Sequence, residues 1–241
     1  MTKKWPSARE EGTAPIQELY ALSLEKKDIA FIYLGFAGII LRTKDKTLAF
    51  DVGKLCIQND EIEGLESLDL HFYSHSHFDH WEPEVSMKIF ETTGAKIIAE
   101  PEIVKEMIGR VSSDKLVSAK PDKPLNVEGY EISAVTGVHG RPITLFRLKG
   151  ADFSIFHGAD SGPVPLKDYP SDVAFLPVGS PSPTCSPEKA LEMALDINPK
   201  VIVAMHGTKS QLQKFSKIME KKMPDATVMT PEPLELMKIS L

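Results

Sequence analysis

Apolar positions recur along this chain with two periods, and the alternation between them predicts a strand-rich protein with helices set outside. Ile16, Leu19, Tyr20 and Leu24 lie near one face at helical spacing, which predicts a short helix over 16–26. Apolar runs at 30–34, 38–42 and 48–52 read as a β-meander, with Lys44-Asp45-Lys46 as the turn between its second and third strands. In 68–74, Leu68, Leu70 and Phe72 alternate with Asp69, His71 and Tyr73, so a strand runs directly into His75. A helical pattern over 83–93 stops at Gly94; a strand at 97–99 and a helix at 101–108, ended by Gly109, follow. Short strands are expected at 115–118, 130–135, 143–148, 153–157 and 173–177. The last part alternates: a helix at 187–197 with Ser186 as its N-cap, a strand at 201–205, a helix at 210–223, and strands at 227–229 and 236–239. Two sheets packed on each other and flanked by helices is the natural α/β arrangement for such a series.

The length of 241 residues suits one well-buried α/β domain spanning 1–241, with residues 1–28 as a polar extension packed on it. The Pro-rich stretch 177–187 reads as a loop, because no change of composition accompanies it. The helix at 16–26 packs on the body or serves a dimer contact, so a homo-oligomer stays open. A formal net charge of -6 disfavours nucleic acid, since an acidic protein gains little from counterion release. No apolar core follows the polar start of the chain, and the stretch Ile29–Leu41 is cut by Gly35 and Gly38 and too short to span a bilayer. Cys56 and Cys185, far apart and outside any CxxC, read as buried, reduced thiols. These features point to the cytoplasm and away from the membrane.

The chemistry concentrates in Ser74-His75-Ser76-His77-Phe78-Asp79-His80, where four ligand-type side chains fall within six residues between a strand and a helix. Imidazole and carboxylate are the ligand set of Zn²⁺, and also of Mn²⁺ or Fe²⁺. Three of the chain's seven histidines stand in this segment, so a histidine-rich surface loop is a poor account of it. The remaining donors must come from other loops. His139, Asp160 and His206 each directly follow a predicted strand and have glycine neighbours that permit close backbone approach.

With HxHxDH at 75–80 followed by His139, Asp160 and His206, the chain resembles the metallo-β-lactamase superfamily over nearly its whole length, from about residue 29 to the end. Asp51, in Ala49-Phe50-Asp51-Val52-Gly53, matches that family's early strand-ending aspartate. Leu176-Pro177-Val178-Gly179, the helix around Glu188–Ala194 and Met205-His206-Gly207-Thr208 are similar to the ascorbate-6-phosphate lactonase-like, UPF0173 hydrolases. The resemblance implies an αββα sandwich of two mixed sheets and a site for two divalent cations, Zn²⁺ foremost. His75, His77 and His139 would hold one metal; Asp79, His80 and His206 would hold the other; Asp160 would bridge; and Asp51 would support the HxHxDH turn. The family's Thr before the first His is Ser74 here.

Other residues carry weaker signals. His157 reads equally as a contact near the site or as a strand-end histidine bonded to a loop, and His71 as structural or exposed. Trp81 is expected to pack beside the metal loop. Arg141 and Lys209 flank His139 and His206 and are candidates for an anionic group of a small-molecule substrate. Ser180, Ser182 and Thr184 are expected to rim the site. Two cations about 3.5–4 Å apart share a water and lower its pKa towards ~7. That implies hydrolysis of a carboxylic ester, a lactone or a phosphodiester, with Asp79 and Asp160 as the catalytic carboxylates. No Gly-x-Ser-x-Gly elbow offers a serine alternative. Three competing readings are weaker. Diiron oxygen-reducing relatives typically carry Glu at the position of His77 and a fused flavin domain. A binding or regulatory protein without turnover needs no second metal. An RNA-processing nuclease is disfavoured by the charge.

Overall fold

The computed structural model describes residues 14–121 and 123–241. In chain order its elements are α1 (Ala14–Ala21), β1 (Asp28–Gly35), β2 (Gly38–Arg42), β3 (Thr47–Phe50), α2 (Asn59–Glu63), β4 (Leu70–Tyr73), α3 (Pro83–Thr93), β5 (Lys96–Ala99), α4 (Pro101–Met107) and β6 (Leu116–Ser118). There follow β7 (Leu125–Val127), β8 (Tyr130–Thr136), β9 (Thr144–Lys149), β10 (Ser154–His157), β11 (Val173–Pro177), α5 (Pro187–Ile197), β12 (Val201–Met205), α6 (Lys209–Lys222), β13 (Thr227–Met229) and β14 (Leu236–Ser240).

Two seven-stranded mixed sheets result, ordered β14-β1-β2-β3-β4-β5-β6 and β13-β12-β11-β10-β9-β8-β7. The first is antiparallel from β14 to β3 and parallel from β3 to β6. The second is antiparallel from β7 to β10 and parallel from β10 to β13. Their inner faces meet over Phe31, Phe50, Phe72, Phe146 and Phe175, all fully buried. Phe31 meets Phe175 edge-on at 5.3 Å and Phe50 stacks on Phe72 at 4.7 Å, the offset and T-shaped contacts that aromatic rings favour. The outer faces are covered too. Ile16 and Leu19 of α1, Ile62 of α2 and Ile89 of α3 lie on the first sheet. Met193 and Ile197 of α5 and Phe215 and Met219 of α6 lie on the second. This αββα layering matches the expected architecture and explains why β4, β11 and β12 are buried at every position rather than alternately.

Local rules account for the helix ends. α3 begins with Pro83 at its first position, where the missing N–H is harmless, and stops at Gly94 in the left-handed conformation, φ 66°. α5 is capped by Ser186, whose hydroxyl accepts from Lys189 N. The expected helix over 16–26 is shorter, because Asp28 accepts a hydrogen bond from Glu25 N and turns the chain into β1. Strand β3 ends at Phe50 rather than residue 52, because Asp51 takes φ 47°. Elements α2 and β7 have no counterpart among the sequence expectations. The part of the expected N-terminal extension at 1–13 lies outside the described residues.

Candidate metal centre

The candidate donors sit where strands of both sheets end. Residues 75–80 follow β4; His139 follows β8, Asp160 follows β10 and His206 follows β12. A backbone hydrogen bond from Thr144 N to Ser74 O, 2.9 Å, ties the two sheets together at this edge. Three of the strand ends turn through left-handed backbone on residues other than glycine: Asp51 at φ 47°, Ala159 at φ 48° and His206 at φ 51°. Such conformations cost on the order of 1 kcal/mol each and persist only where surrounding structure enforces them.

All seven donors come together, in two groups. His75, His77, His139 and Asp160 form one, and Asp79, His80 and His206 the other, with the ligand atoms of each group within 4.8 Å of one another. His77 Nδ1 lies 3.0 Å from His75 Nε2 and 3.1 Å from His139 Nε2. Asp160 stands between the groups. Its Oδ1 is 3.6 Å from His75 Nε2, while Oδ2 is 3.5 Å from His139 Nε2, 3.6 Å from His80 Nε2 and 3.7 Å from His206 Nε2. Two ligands each about 2.1 Å from one cation at a tetrahedral angle stand about 3.4 Å apart, so these spacings suit shared coordination. The buried His80 Nε2, His206 Nε2 and Asp160 Oδ1 have no hydrogen-bond partner. Orphaned polar atoms are rare and costly in a folded interior, and here they converge. The residues fit a pair of divalent cations.

Asp51 sets which imidazole nitrogen faces inward. Its Oδ2 lies 3.0 Å from His80 Nδ1 and accepts from Ser74 Oγ at 2.7 Å, while Oδ1 accepts from Ser74 N at 2.7 Å. Ser74 Oγ, its proton given to Asp51, can accept from His75 Nδ1 at 3.0 Å. Both histidines are thereby held with protonated Nδ1 and a lone pair on Nε2 towards the centre, directly for His80 and through Ser74 for His75. Serine in place of the family's threonine supplies the same hydroxyl.

Electrostatics agree with neutral rings at His75, His139 and His206, and set His80 apart. Burial, with neighbouring imidazoles adding to it, holds His75 and His206 far below the ordinary imidazole value and His139 down at about 4. Burial also lowers His80, but Asp51, Asp160 and Asp79 more than offset it and push its pKa up to about 9. Burial raises Asp160 to about 7, opposed by His80. Three neutral imidazoles and a carboxylate short of positive charge are what a cation would stabilise, and a cation would take over the positive charge that the three carboxylates otherwise hold on His80.

His157 is fully buried, with Nε2 3.0 Å from Ala37 O and its ring stacked on Phe50 at 4.7 Å; it is a core histidine outside both donor groups. His71 is buried with its ring 4.1 Å from Tyr73, and burial lowers its pKa to about 3. Trp81 is buried with Tyr73 and Ile103 behind the HxHxDH turn. Cys56 is buried but Cys185 only half so; its thiol donates to Ser161 O at 2.8 Å, and burial pushes its pKa up to about 12. Ser182 and Thr184 brace the backbone under the central carboxylate, each donating to Asp160 O, at 2.6 and 3.0 Å. That contact, and the packing of Gly53 against the Asp79–His80 peptide, were missed from sequence; only the glycine itself signalled the second. The cavity at the centre is about 160 Å³, and beyond five of the donors its walls are Gly140, Pro181 and Pro183. Arg141 and Lys209 are both exposed and outside those walls, but Arg141 Nη1 donates to Ser76 Oγ, between His75 and His77, at 3.4 Å.

The model of the beta-lactamase superfamily domain matches residues 54–207. The chain is similar to a UPF0173 metal-dependent hydrolase of Enterococcus faecalis, 29% identical over 193 residues that cover 71% of this chain and 83% of that protein. Among solved structures it is similar to Igni18, a metallo hydrolase of the archaeon Ignicoccus hospitalis, with a TM-score of 0.76 at 21% identity over 89% of this chain and 99% of that one. It is also similar in fold to a diiron beta-hydroxylase of Streptomyces venezuelae, with a TM-score of 0.70 at 14% identity over 90% of this chain and 55% of that one.

Proposed function

Because the chain belongs to the beta-lactamase superfamily, we propose that it is a metal-dependent hydrolase that cleaves an ester-type bond with two divalent cations, Zn²⁺ foremost. The observation that carries this reading is the convergence of seven donors from both sheets on one point, with His80 Nε2, His206 Nε2 and Asp160 Oδ1 unsatisfied. His75, His77 and His139 would hold one cation, Asp79, His80 and His206 the other, and Asp160 both. When bound, divalent cations there would acidify a water and polarise the scissile carbonyl. Asp79, half-buried at the cavity wall, would hold a cation and orient the attacking water. Asp51 and Ser74 keep His75 and His80 in the tautomer that presents Nε2. Pro181 and Pro183 exclude bulk water from one side. Among the described residues no helix is long and apolar enough to cross a membrane. The two thiols suit a reducing compartment, and we read 1–241 as one domain acting in the cytoplasm.

Asp160→Asn is the direct test. Zinc content per chain should fall below that of the native protein, and hydrolysis of p-nitrophenyl acetate by the metal-loaded variant should drop roughly 100-fold or more. Full activity at native metal content would refute the assignment. The shared fold of the diiron beta-hydroxylase supports iron-dependent oxygen chemistry as the second reading. Iron rather than zinc in the native protein, with oxygen uptake and no hydrolysis, would favour it.

A further inference from the structure

Tyr33 stands in β1 just before the turn into β2, where the pairing of the two strands shifts register, and its ring packs in the core between the sheets. A phenylalanine would fill that space equally well. The hydroxyl needs its own account, because burying one is costly unless it is bonded. Its proton goes to Phe36 O in the following turn, at 3.0 Å, and its oxygen accepts from His206 N at 3.4 Å. A side chain of the first sheet thus takes the main-chain N–H of a donor that follows a strand of the second. His206 holds φ 51° without being glycine, a conformation that persists only where its surroundings enforce it.

The same turn meets the His206 ring. Phe36, half-buried and itself at φ 53°, lies edge-on to the imidazole at 5.9 Å, a favoured aromatic contact. The turn also reaches Asp79, in the same donor group. The Cys56 thiol lies 3.5 Å from Gly35 O and 3.4 Å from Asp79 O. A Cβ at Gly38 would lie 2.8 Å from the Cys56 sulfur, so the turn is packed closely against it. Asp51 and Ser74 orient His80 and His75, which belong to the first sheet; His206 is met from this turn instead.

Resting on the cation assignment above, we infer that the turn between β1 and β2 is a positioning device for His206. The Tyr33 hydroxyl fixes its main chain and the Phe36 ring its imidazole, so that Nε2 faces the cation it would share with Asp79 and His80. Both residues act through His206 rather than on the reacting atoms. They set how tightly that one cation is held and leave the group of His75, His77 and His139 as it is.

Competitive zinc titration of the metal-free full chain against a chromophoric chelator tests this. The native chain should show two steps, and the step that His206→Ala weakens more belongs to the Asp79/His80/His206 group. Tyr33→Phe removes one oxygen and keeps the ring. The Kd of that step should rise roughly 10- to 100-fold, as when other supports of metal ligands are removed, while the other step stays within about twofold. Phe36→Leu, at a half-buried position, should weaken the same step several-fold, and it carries the test if Tyr33→Phe does not fold. Amide exchange at His206 should quicken in metal-free Tyr33→Phe, because the N–H loses its acceptor. A Tyr33 that served the core alone would lower Tm without moving one step against the other. Both steps weakened alike, or neither changed, in the folded variants would overturn the inference and leave the cations in place. A native chain that takes up no zinc would overturn both.

Discussion

Single residues decide whether the HxHxDH turn can form, and Gly53 is the sharpest case. A Cβ at Gly53 would lie 2.7 Å from Asp79 C, 2.8 Å from Asp79 O and 2.8 Å from His80 N, all backbone atoms that cannot swing aside. Gly53→Ala should therefore destabilise the fold by about 1–3 kcal/mol and cut zinc occupancy of the Asp79/His80/His206 group more than that of the other. Urea unfolding and metal titration measure the two effects; an alanine variant with native stability and native zinc content would show that the turn is held by something else. At this scale the donors themselves were legible, because three histidines and an aspartate in six residues leave few other accounts. Their supports were legible only in part. Asp51 was placed by its resemblance to a family position, but the route from Asp51 through Ser74 to His75 depends on side-chain geometry that no spacing encodes. Ser182 reaches Asp160 O across 22 residues. His157, left open by the sequence, became a core residue because Phe50 stacks on it from another strand.

Secondary structure was most legible where local chemistry punctuates it. Pro83 and Gly94 bound α3, and Ser186 and Asn198 bound α5, each within one residue of a capping group that acts through nearest neighbours. Short elements were not: β7 is three residues long and exists through its pairing with β8, and α2 is a single five-residue helical turn, too short for a periodic pattern despite the local box of Gln58 and Glu61. The most distant dependence is β14, which returns from the end of the chain to pair with β1. Asp28 anchors that return. It accepts from Ser240 Oγ at 2.7 Å, pairs with Lys238 Nζ at 2.8 Å, and accepts from Glu25 N. Its hydrogen bond to Lys238, then those to Glu25 N and Ser240, lower its pKa from 3.8 to about 2. A carboxylate with a depressed folded pKa stabilises the native state above its unfolded value and loses that contribution as pH falls through the folded one. Asp28→Asn should thus be less stable than the native chain at pH 7. The gap should narrow between about pH 4 and pH 2, read as the difference in urea midpoints against pH. A gap independent of pH would mean that the ionised form of Asp28 contributes nothing to holding β14.

At the scale of the whole molecule, the proposed cations join the two sheets. The first sheet's β4 leads into His75, His77, Asp79 and His80, while the second sheet's β8, β10 and β12 lead into His139, Asp160 and His206. The sheets also share a continuous aromatic core, so they would stay associated without metal; what metal adds is a clamp at one edge, where strained backbone and unsatisfied donors coincide. A ligand that binds only the folded state stabilises it by RT ln(1 + [L]/Kd), about 4 kcal/mol at a thousandfold excess over Kd. For a chain of this size each kcal/mol moves Tm by roughly 2–4 °C, so removing tightly held zinc by chelation should lower Tm by on the order of 10 °C, and added zinc should restore it. Amide exchange should accelerate in the donor loops at 75–80, 137–141, 158–162 and 206–208, while β1, β2 and β11 in the core stay protected. A Tm indifferent to verified loss of metal, with no change of exchange in those loops, would mean that the seven donors do not hold cations in the folded protein. The hydrolytic reading would fall with them.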